Sequence, residues 1–178
     1  MPWEFNILYA LQNIHNPVLD QVMAFITHFG DAGLFWIAVS ICILIFVKDK
    51  SMGLTCVGAL ASEFVICNLI LKNLVARQRP CWIDTSIELV VASPSDFSFP
   101  SGHSSASFAV AVAIFMWDKK WGTLAIIWAG LIAFSRLYLF VHFPTDVLTG
   151  ALIGTLMGVI FYFVVKKFYK YEEKKQVN

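Results

Sequence analysis

The 178-residue sequence predicts an all-α fold: a polytopic membrane helix bundle with five spanning helices, six in an alternative count, plus interfacial helices at the N-terminus. Three observations predict it. Hydrophobic residues make up 58% of the chain and charged residues 14%, whereas soluble domains hold about 45–50% apolar residues even with Gly counted and about 25% charged ones. Mean hydropathy is +0.71. The apolar residues fall in charge-free runs, and most basic residues sit at the ends of those runs. A small soluble globule keeps too much surface exposed to hide this many apolar side chains. The composition also excludes a disordered chain and a basic nucleic-acid binder. The expected surroundings are a lipid bilayer, with no nucleic-acid partner.

Residues 1–31 read as N-terminal interfacial helices. Phe5, Leu8, Leu11 and Ile14 make an apolar stripe suited to a helix lying on a membrane. The stretch from Pro17 to Gly30 is apolar but short, and it carries Asp20 and His28. A tilted sixth span is the alternative there. The first 47 residues hold no Lys or Arg, so no secretory signal peptide is expected. A membrane core follows over residues 32–168. Its runs are Ala32 to Val47, Ser51 to Leu71 (broken only by Glu63), Gly102 to Trp117, Trp121 to Ser135 and Val147 to Val165. They predict spans over 32–48, 52–76, 102–117, 121–140 and 145–166, the shorter ones completed by polar ends and snorkelling lysines. Residues 169–178 read as a charged cytoplasmic tail.

The 13 basic residues orient the bundle. Nine lie on the side reached after the first span: Lys48, Lys50, Lys119, Lys120, Lys166, Lys167, Lys170, Lys174 and Lys175. Basic residues favour cytoplasmic loops, so that side is cytoplasmic. Lys72, Arg77, Arg79 and Arg136 fall on the other side and need another explanation.

Three clusters converge on that outer side. The first is Lys72 to Pro80. Lys72 and Arg79 lie about two helical turns apart and share a face if the helix continues that far. The second is Pro100-Ser101-Gly102-His103, where Ser101 is placed to cap a helix and Gly102 permits close backbone approach to a ligand. The free N–H groups of that helix start form an anion site. The third joins Ser135-Arg136 to His142 and Asp146, with the carboxylate four residues after the imidazole. Three cations, two histidines, one carboxylate and a helix N-terminus fit phosphoryl transfer without a metal. The cations would bind phosphate oxygens. One His would attack phosphorus and the other would protonate the leaving oxygen. The long connection from Gln78 to Pro100, with Asp84, Glu88 and Asp96, belongs to the same side.

These residues resemble a known family. Lys72 with six residues before Arg79-Pro80, then Pro100-Ser101-Gly102-His103, then Ser135-Arg136 with five residues before His142 and three more before Asp146, is similar to the three-part signature of the type 2 phosphatidic-acid phosphatase superfamily. The resemblance implies a helical membrane core whose site faces away from the cytoplasm in bacterial members. It implies His142 as the nucleophile forming a phosphohistidine, Asp146 as its orienting group and His103 as the general acid. Lys72, Arg79 and Arg136 would bind phosphate, with Ser101 and Gly102 adding hydrogen bonds. No metal and no cofactor are implied. Soluble vanadium haloperoxidases share this pocket, but the composition argues against them. The expected function is an integral membrane lipid phosphatase, with undecaprenyl diphosphate as the favoured substrate. Phosphatidic acid, diacylglycerol pyrophosphate and phosphatidylglycerol phosphate are the alternatives, and a lipid-binding or transport protein is the non-enzymatic one.

Other residues read more plainly. Glu63 is expected to make a buried hydrogen bond to a neighbouring helix rather than to act in the chemistry. Arg77 has no place in the signature and reads as an interfacial anchor. Cys42, Cys56, Cys67 and Cys81 predict no disulfide framework, and no Cys or His spacing is of metal type. His15 and His28 read as interfacial. Gly150, Gly154 and Gly158 form a small-residue face for close packing, within the chain or between chains. Trp117 and Trp121 read as belt residues beside an inner turn.

Overall fold

A computed structural model describes the backbone of residues 2–177 and the side chains of residues 2–169. The described residues form helices and no strand. Helix α1 (Pro2–Gln12) and helix α2 (Pro17–His28) precede a short 3₁₀ turn over Asp31–Gly33 and helix α3 (Leu34–Phe46). Asn16 caps α2 by accepting from Leu19 N, and Pro17 opens it. Helix α4 (Ser51–Glu63) passes into a π-helical stretch, Phe64–Leu71, and then into α5 (Lys72–Val75) and α6 (Pro80–Ile83). Helices α7 (Gly102–Trp117), α8 (Lys119–Tyr138) and α9 (Pro144–Val177) complete the chain.

Helix α7 is the central post. Ala106, Ala109, Val110, Ala111 and Ala113 are all buried, and the helix packs on α9, α8, α4 and α3. A helix apolar all round is one surrounded by other helices or lipid. Its approach to α9 is close because α9 presents glycines. A Cβ on Gly154 would meet Ser105 O at 2.2 Å, and one on Gly158 would meet Ala109 O at 2.8 Å. The small-residue face therefore serves packing within the chain. Glu63 accepts from Ser105 Oγ at 2.5 Å, which joins α4 to α7 as expected. Trp117 Nε1 donates to Thr55 Oγ1 at 2.9 Å, while Trp121 is exposed. Apolar side chains such as Phe46, Leu74, Leu148 and Leu152 face outwards, as a lipid-facing surface requires.

Three expectations change. Three segments are long and apolar enough to cross a membrane: Ser51–Ile83, Lys119–Tyr138 and Pro144–Tyr169. Pro17–His28 and Asp31–Phe46, bent by 41°, make a fourth if taken together, and Gly102–Trp117 is apolar but has only 16 residues. By length and composition three or four spans qualify, so the count of five is not confirmed. Second, the helix that begins at Ser51 does not reach Arg79. Ala76 takes a left-handed conformation (φ 47°) and the chain runs non-helically to Arg79. Third, the N-terminal helices are more than surface riders. Leu8, Glu4, Met23 and Ile26 are buried, with α1 packed on α8 and α9 and α2 on α8. The side chains of Lys170, Lys174 and Lys175 in the expected tail lie outside the described residues.

Candidate active site

The start of α5, the start of α7, the end of α8 and the turn before α9 converge on one cavity of about 910 Å³. Lys72, Arg79, Gly102, His103, Arg136 and His142 line it. Ser101 and Asp146 lie behind its wall, both fully buried. The other wall is apolar and comes from Ile37, Ile41, Val57, Leu60 and Phe64.

Local structure explains each placement. The π-helical stretch ends directly at Lys72, and such rare wide turns cluster at functional sites. Arg79 has extended backbone just before Pro80, as residues preceding proline prefer. Lys72 and Arg79 therefore do not share a helix face. They meet through Asp96 of the long loop: Lys72 Nζ pairs with Asp96 Oδ2, and Arg79 Nη2 donates to Asp96 Oδ1 at 2.7 Å. Arg79 is almost wholly buried and is also held by the carbonyls of Asp96, Phe97 and Val141. Ser101 caps α7, accepting from Ser104 N, and its own N–H donates to Asp146 O at 3.0 Å. Gly102 is small for a packing reason: an added Cβ would lie 2.9 Å from Asn68 Oδ1. Arg136 donates to Thr27 Oγ1, and its buried Nε has no partner among the described residues. A phosphate oxygen is a group that would meet that demand.

His142 lies in the turn between α8 and α9, where Phe140 adopts a left-handed conformation (φ 59°). That conformation costs a non-glycine residue about 1–2 kcal/mol, and the buried rings of Phe140 and Phe143 hold the turn in place. Arg79 Nη1 lies 3.0 Å from His142 Nε2. A guanidinium only donates, so Nε2 is the unprotonated nitrogen and Nδ1 carries the proton. Burial, with Arg79 and Arg136 close by, holds the His142 imidazole well below its ordinary range and keeps it neutral. Nδ1 faces Ser98 Oγ at 3.4 Å and Asp146 Oδ2 at 3.7 Å. The second distance is too long for a hydrogen bond. Ser98 bridges the gap, since its hydroxyl donates to Asp146 Oδ2 at 2.5 Å. Phe143 N donates to the same oxygen at 2.8 Å.

His103 projects from the first turn of α7 with Nε2 3.0 Å from Asp31 Oδ1. Asp31 also meets His28 Nδ1 at 2.7 Å. Gly30 makes room for this imidazole, because a Cβ there would lie 2.3 Å from the His103 ring. Asp96 is held at about 2: burial pushes its carboxyl up, but the hydrogen bond and charge of Lys72 and the charge of Arg79 outweigh it.

The cations and histidines grouped from the sequence line one cavity, while several of their hydrogen-bond partners have no sequence signal. Thr27, Asp31 and Ser98 carry no motif, and Asp96 was marked only as part of a long outer loop. Arg77, read as an anchor, instead donates to Asp146 Oδ1 at 2.6 Å. Among the described residues no group of three or more His, Cys, Asp or Glu side chains is arranged to hold a metal ion.

Comparison with known proteins identifies the family. The family model described as the PAP2 superfamily matches residues 52–170. The chain belongs to the PAP2 superfamily. Undecaprenyl-diphosphatase from Sulfolobus acidocaldarius is 33% identical over 159 residues, covering 88% of this chain and 76% of that one. Among solved structures, LpxE from Aquifex aeolicus superposes with a TM-score of 0.78 at 28% identity, covering 89% of this chain and 94% of that one. The transmembrane PAP2-type phosphatidylglycerolphosphate phosphatase from Bacillus subtilis gives 0.73 at 29% identity, over 96% of this chain and 86% of that one. The multi-pass helical membrane fold and the membership implied by the motifs are borne out.

Proposed function

We propose that this chain is a membrane lipid phosphatase that removes the terminal phosphate of a polyprenyl diphosphate, with undecaprenyl diphosphate as substrate. One observation supports the reading above all. A single cavity joins three cationic side chains, Lys72, Arg79 and Arg136, to an apolar wall of Ile37, Ile41, Val57, Leu60 and Phe64. A soluble phosphate ester has no use for such a wall, whereas a phosphate on a lipid chain has use for both ends. The relative from Sulfolobus acidocaldarius carries the name of the favoured activity.

In this mechanism the three cations bind the phosphate oxygens and offset charge in the transition state. The Nε2 lone pair of His142 attacks the terminal phosphorus. The P–O bond to the lipid phosphate breaks, and His103 protonates the departing oxygen. Asp146, acting through Ser98 and directly as the ring gains charge, orients His142. In the second step His103 takes a proton from water, the hydroxide attacks phosphorus, and the P–N bond breaks to restore His142. No metal takes part. The site faces outwards from the bacterial cell membrane, opposite the lysine-rich ends.

Phosphate release by the purified full chain, with chelator present, tests the reading. Undecaprenyl diphosphate should give the highest kcat/KM against phosphatidylglycerol phosphate, phosphatidic acid and diacylglycerol pyrophosphate. A higher value for any of these overturns the substrate, and loss of activity with chelator overturns the metal-free mechanism. A Val90→Cys variant should be labelled from outside intact cells; labelling only after lysis inverts the topology.

A further inference from the structure

We propose that Arg77, anchored by Glu4 of α1, is a positioning residue that sets the Asp146 carboxylate behind His142, so that the first helix of the chain belongs to the catalytic apparatus. The inference rests on the histidine mechanism proposed above. Its basis is a chain of short contacts. Arg77 Nη1 donates to Asp146 Oδ1 at 2.6 Å and to Thr145 Oγ1 at 2.7 Å. Its Nη2 donates to Glu4 Oε2 at 2.6 Å. The other Glu4 oxygen accepts from the Thr145 hydroxyl at 2.6 Å and from Thr145 N at 3.3 Å. The guanidinium lies 4.0 Å over the Phe143 ring, next in sequence to His142.

Glu4 and Asp146 are both fully buried. A buried carboxylate is costly unless paired and hydrogen-bonded, and one guanidinium here serves two. Glu4 sits on an amphipathic helix whose inward positions elsewhere take residues such as Leu8. An apolar residue at position 4 would pack there at no electrostatic cost, but it would leave Arg77 Nη2 without its acceptor.

The geometry shows what the guanidinium does for Asp146. Ser98 and Phe143 both donate to Oδ2. Among the described residues Arg77 is the side chain that holds Oδ1. Turning about Cβ–Cγ would move both oxygens, so the donor on Oδ1 adds a second anchor to the two on Oδ2 and fixes the plane of the carboxylate more firmly. Arg77 also accepts from Ser98 N through its carbonyl at 2.8 Å, so one residue places both Asp146 and the bridging serine. Lysine cannot reproduce this, because an ammonium is a point charge and not a planar fork.

Arg77 touches no wall of the cavity, so its effect falls on turnover and not on substrate binding. The test measures kcat and KM for phosphate release from undecaprenyl diphosphate in detergent, on the full chain. It compares wild type, Arg77→Gln, Arg77→Lys, Glu4→Gln, the Glu4→Gln/Arg77→Gln double variant and His142→Ala. Misplacing a catalytic group costs about 10–100-fold, so Arg77→Gln should lower kcat by about that much with KM within about twofold. Glu4→Gln, which keeps the side-chain shape, should lower kcat by about fivefold by the same misplacement argument. The double variant should match Arg77→Gln alone, since Glu4 acts through Arg77, and Arg77→Lys should restore little. Normalising kcat to the amount of trapped phosphoenzyme separates turnover from loss of folded protein. Unchanged kcat in Glu4→Gln, additive losses in the double variant, or losses confined to KM would each overturn the inference and leave the histidine mechanism standing. A wild type without phosphate release, or a His142→Ala variant equal to it, overturns the mechanism itself.

Discussion

Residues 72–146 bring the cations and histidines to the cavity, whereas residues 4–31 bring partners for three basic side chains at or behind it. Glu4 meets Arg77, Thr27 meets Arg136 and Asp31 meets His103. The two regions also pack differently. Helices α7 and α9 approach backbone to backbone, with glycines at 150, 154 and 158 where a Cβ would collide. The N-terminal helices attach through polar side chains and aromatic rings, such as Phe5 edge-on to Phe143 at 5.2 Å. The difference teaches a division of labour. The proposed reacting groups stand on a closely packed frame, and part of the set that holds them in place is supplied from outside that frame.

The sharpest test of this division is His142→Ala, which should lower kcat by at least about 10⁴-fold because the proposed nucleophile is lost. Its pH profile is a companion test. His142 is held neutral well below the ordinary histidine range. The free enzyme therefore keeps its base as pH falls through about 6.5, and the acid limb of kcat/KM should lie lower still. A limb at the ordinary histidine position would contradict the buried, cation-flanked site. The same shift carries a stability consequence. Unfolded His142 gains its proton below about 6.5 while the folded residue resists it, so stability should fall as pH drops through that value, as acid titration of thermal unfolding would show.

Next in size, the frame can be broken without touching the site. Gly154→Ala places a Cβ 2.2 Å from Ser105 O and should cost about 1–3 kcal/mol by overpacking. Gly130→Ala on α8 meets nothing within 4 Å and should gain up to about 1 kcal/mol of helix propensity. Thermal unfolding in detergent compares the pair, and equal effects would deny the special closeness of α7 and α9. Asp31→Asn removes the carboxylate beside His103 and should lower kcat by about tenfold, an order below loss of a general acid. A loss as large as that of His142→Ala would erase the boundary between reacting and supporting groups. The smallest effect is expected at Asp96, whose carboxylate sits on Lys72 and Arg79. Asp96→Asn should tighten inhibition by inorganic phosphate by about fivefold, because one nearby negative charge is gone. Weaker inhibition would mean that Asp96 is needed to aim the cations.

Much of this was legible along the chain. The span expected over 102–117 coincides with α7, and that over 121–140 differs from α8 by two residues at each end. The motif residues Lys72, Arg79, His103, Arg136 and His142 do reach one cavity. The failures have local physical causes. The span expected to end at 76 does end at the left-handed Ala76, so the condition for a shared Lys72–Arg79 face is not met, and an alanine gives no warning of that turn, since such conformations usually announce themselves with Gly or Asn. Two of the five expected spans, 32–48 and 102–117, correspond to helices of 13 and 16 residues, too short by length to cross alone, so the count of five is not confirmed.

What the sequence by itself determined is whatever composition, periodicity and close spacing control: the membrane class, the helices and the motif that marks the family. What only the tertiary structure decided is which distant groups satisfy one another. Glu4 and Arg77 are 73 residues apart, and Thr27 and Arg136 are 109 apart. Nothing in either neighbourhood names the other. A buried charge must find a partner, but packing, and not local sequence, chooses which one.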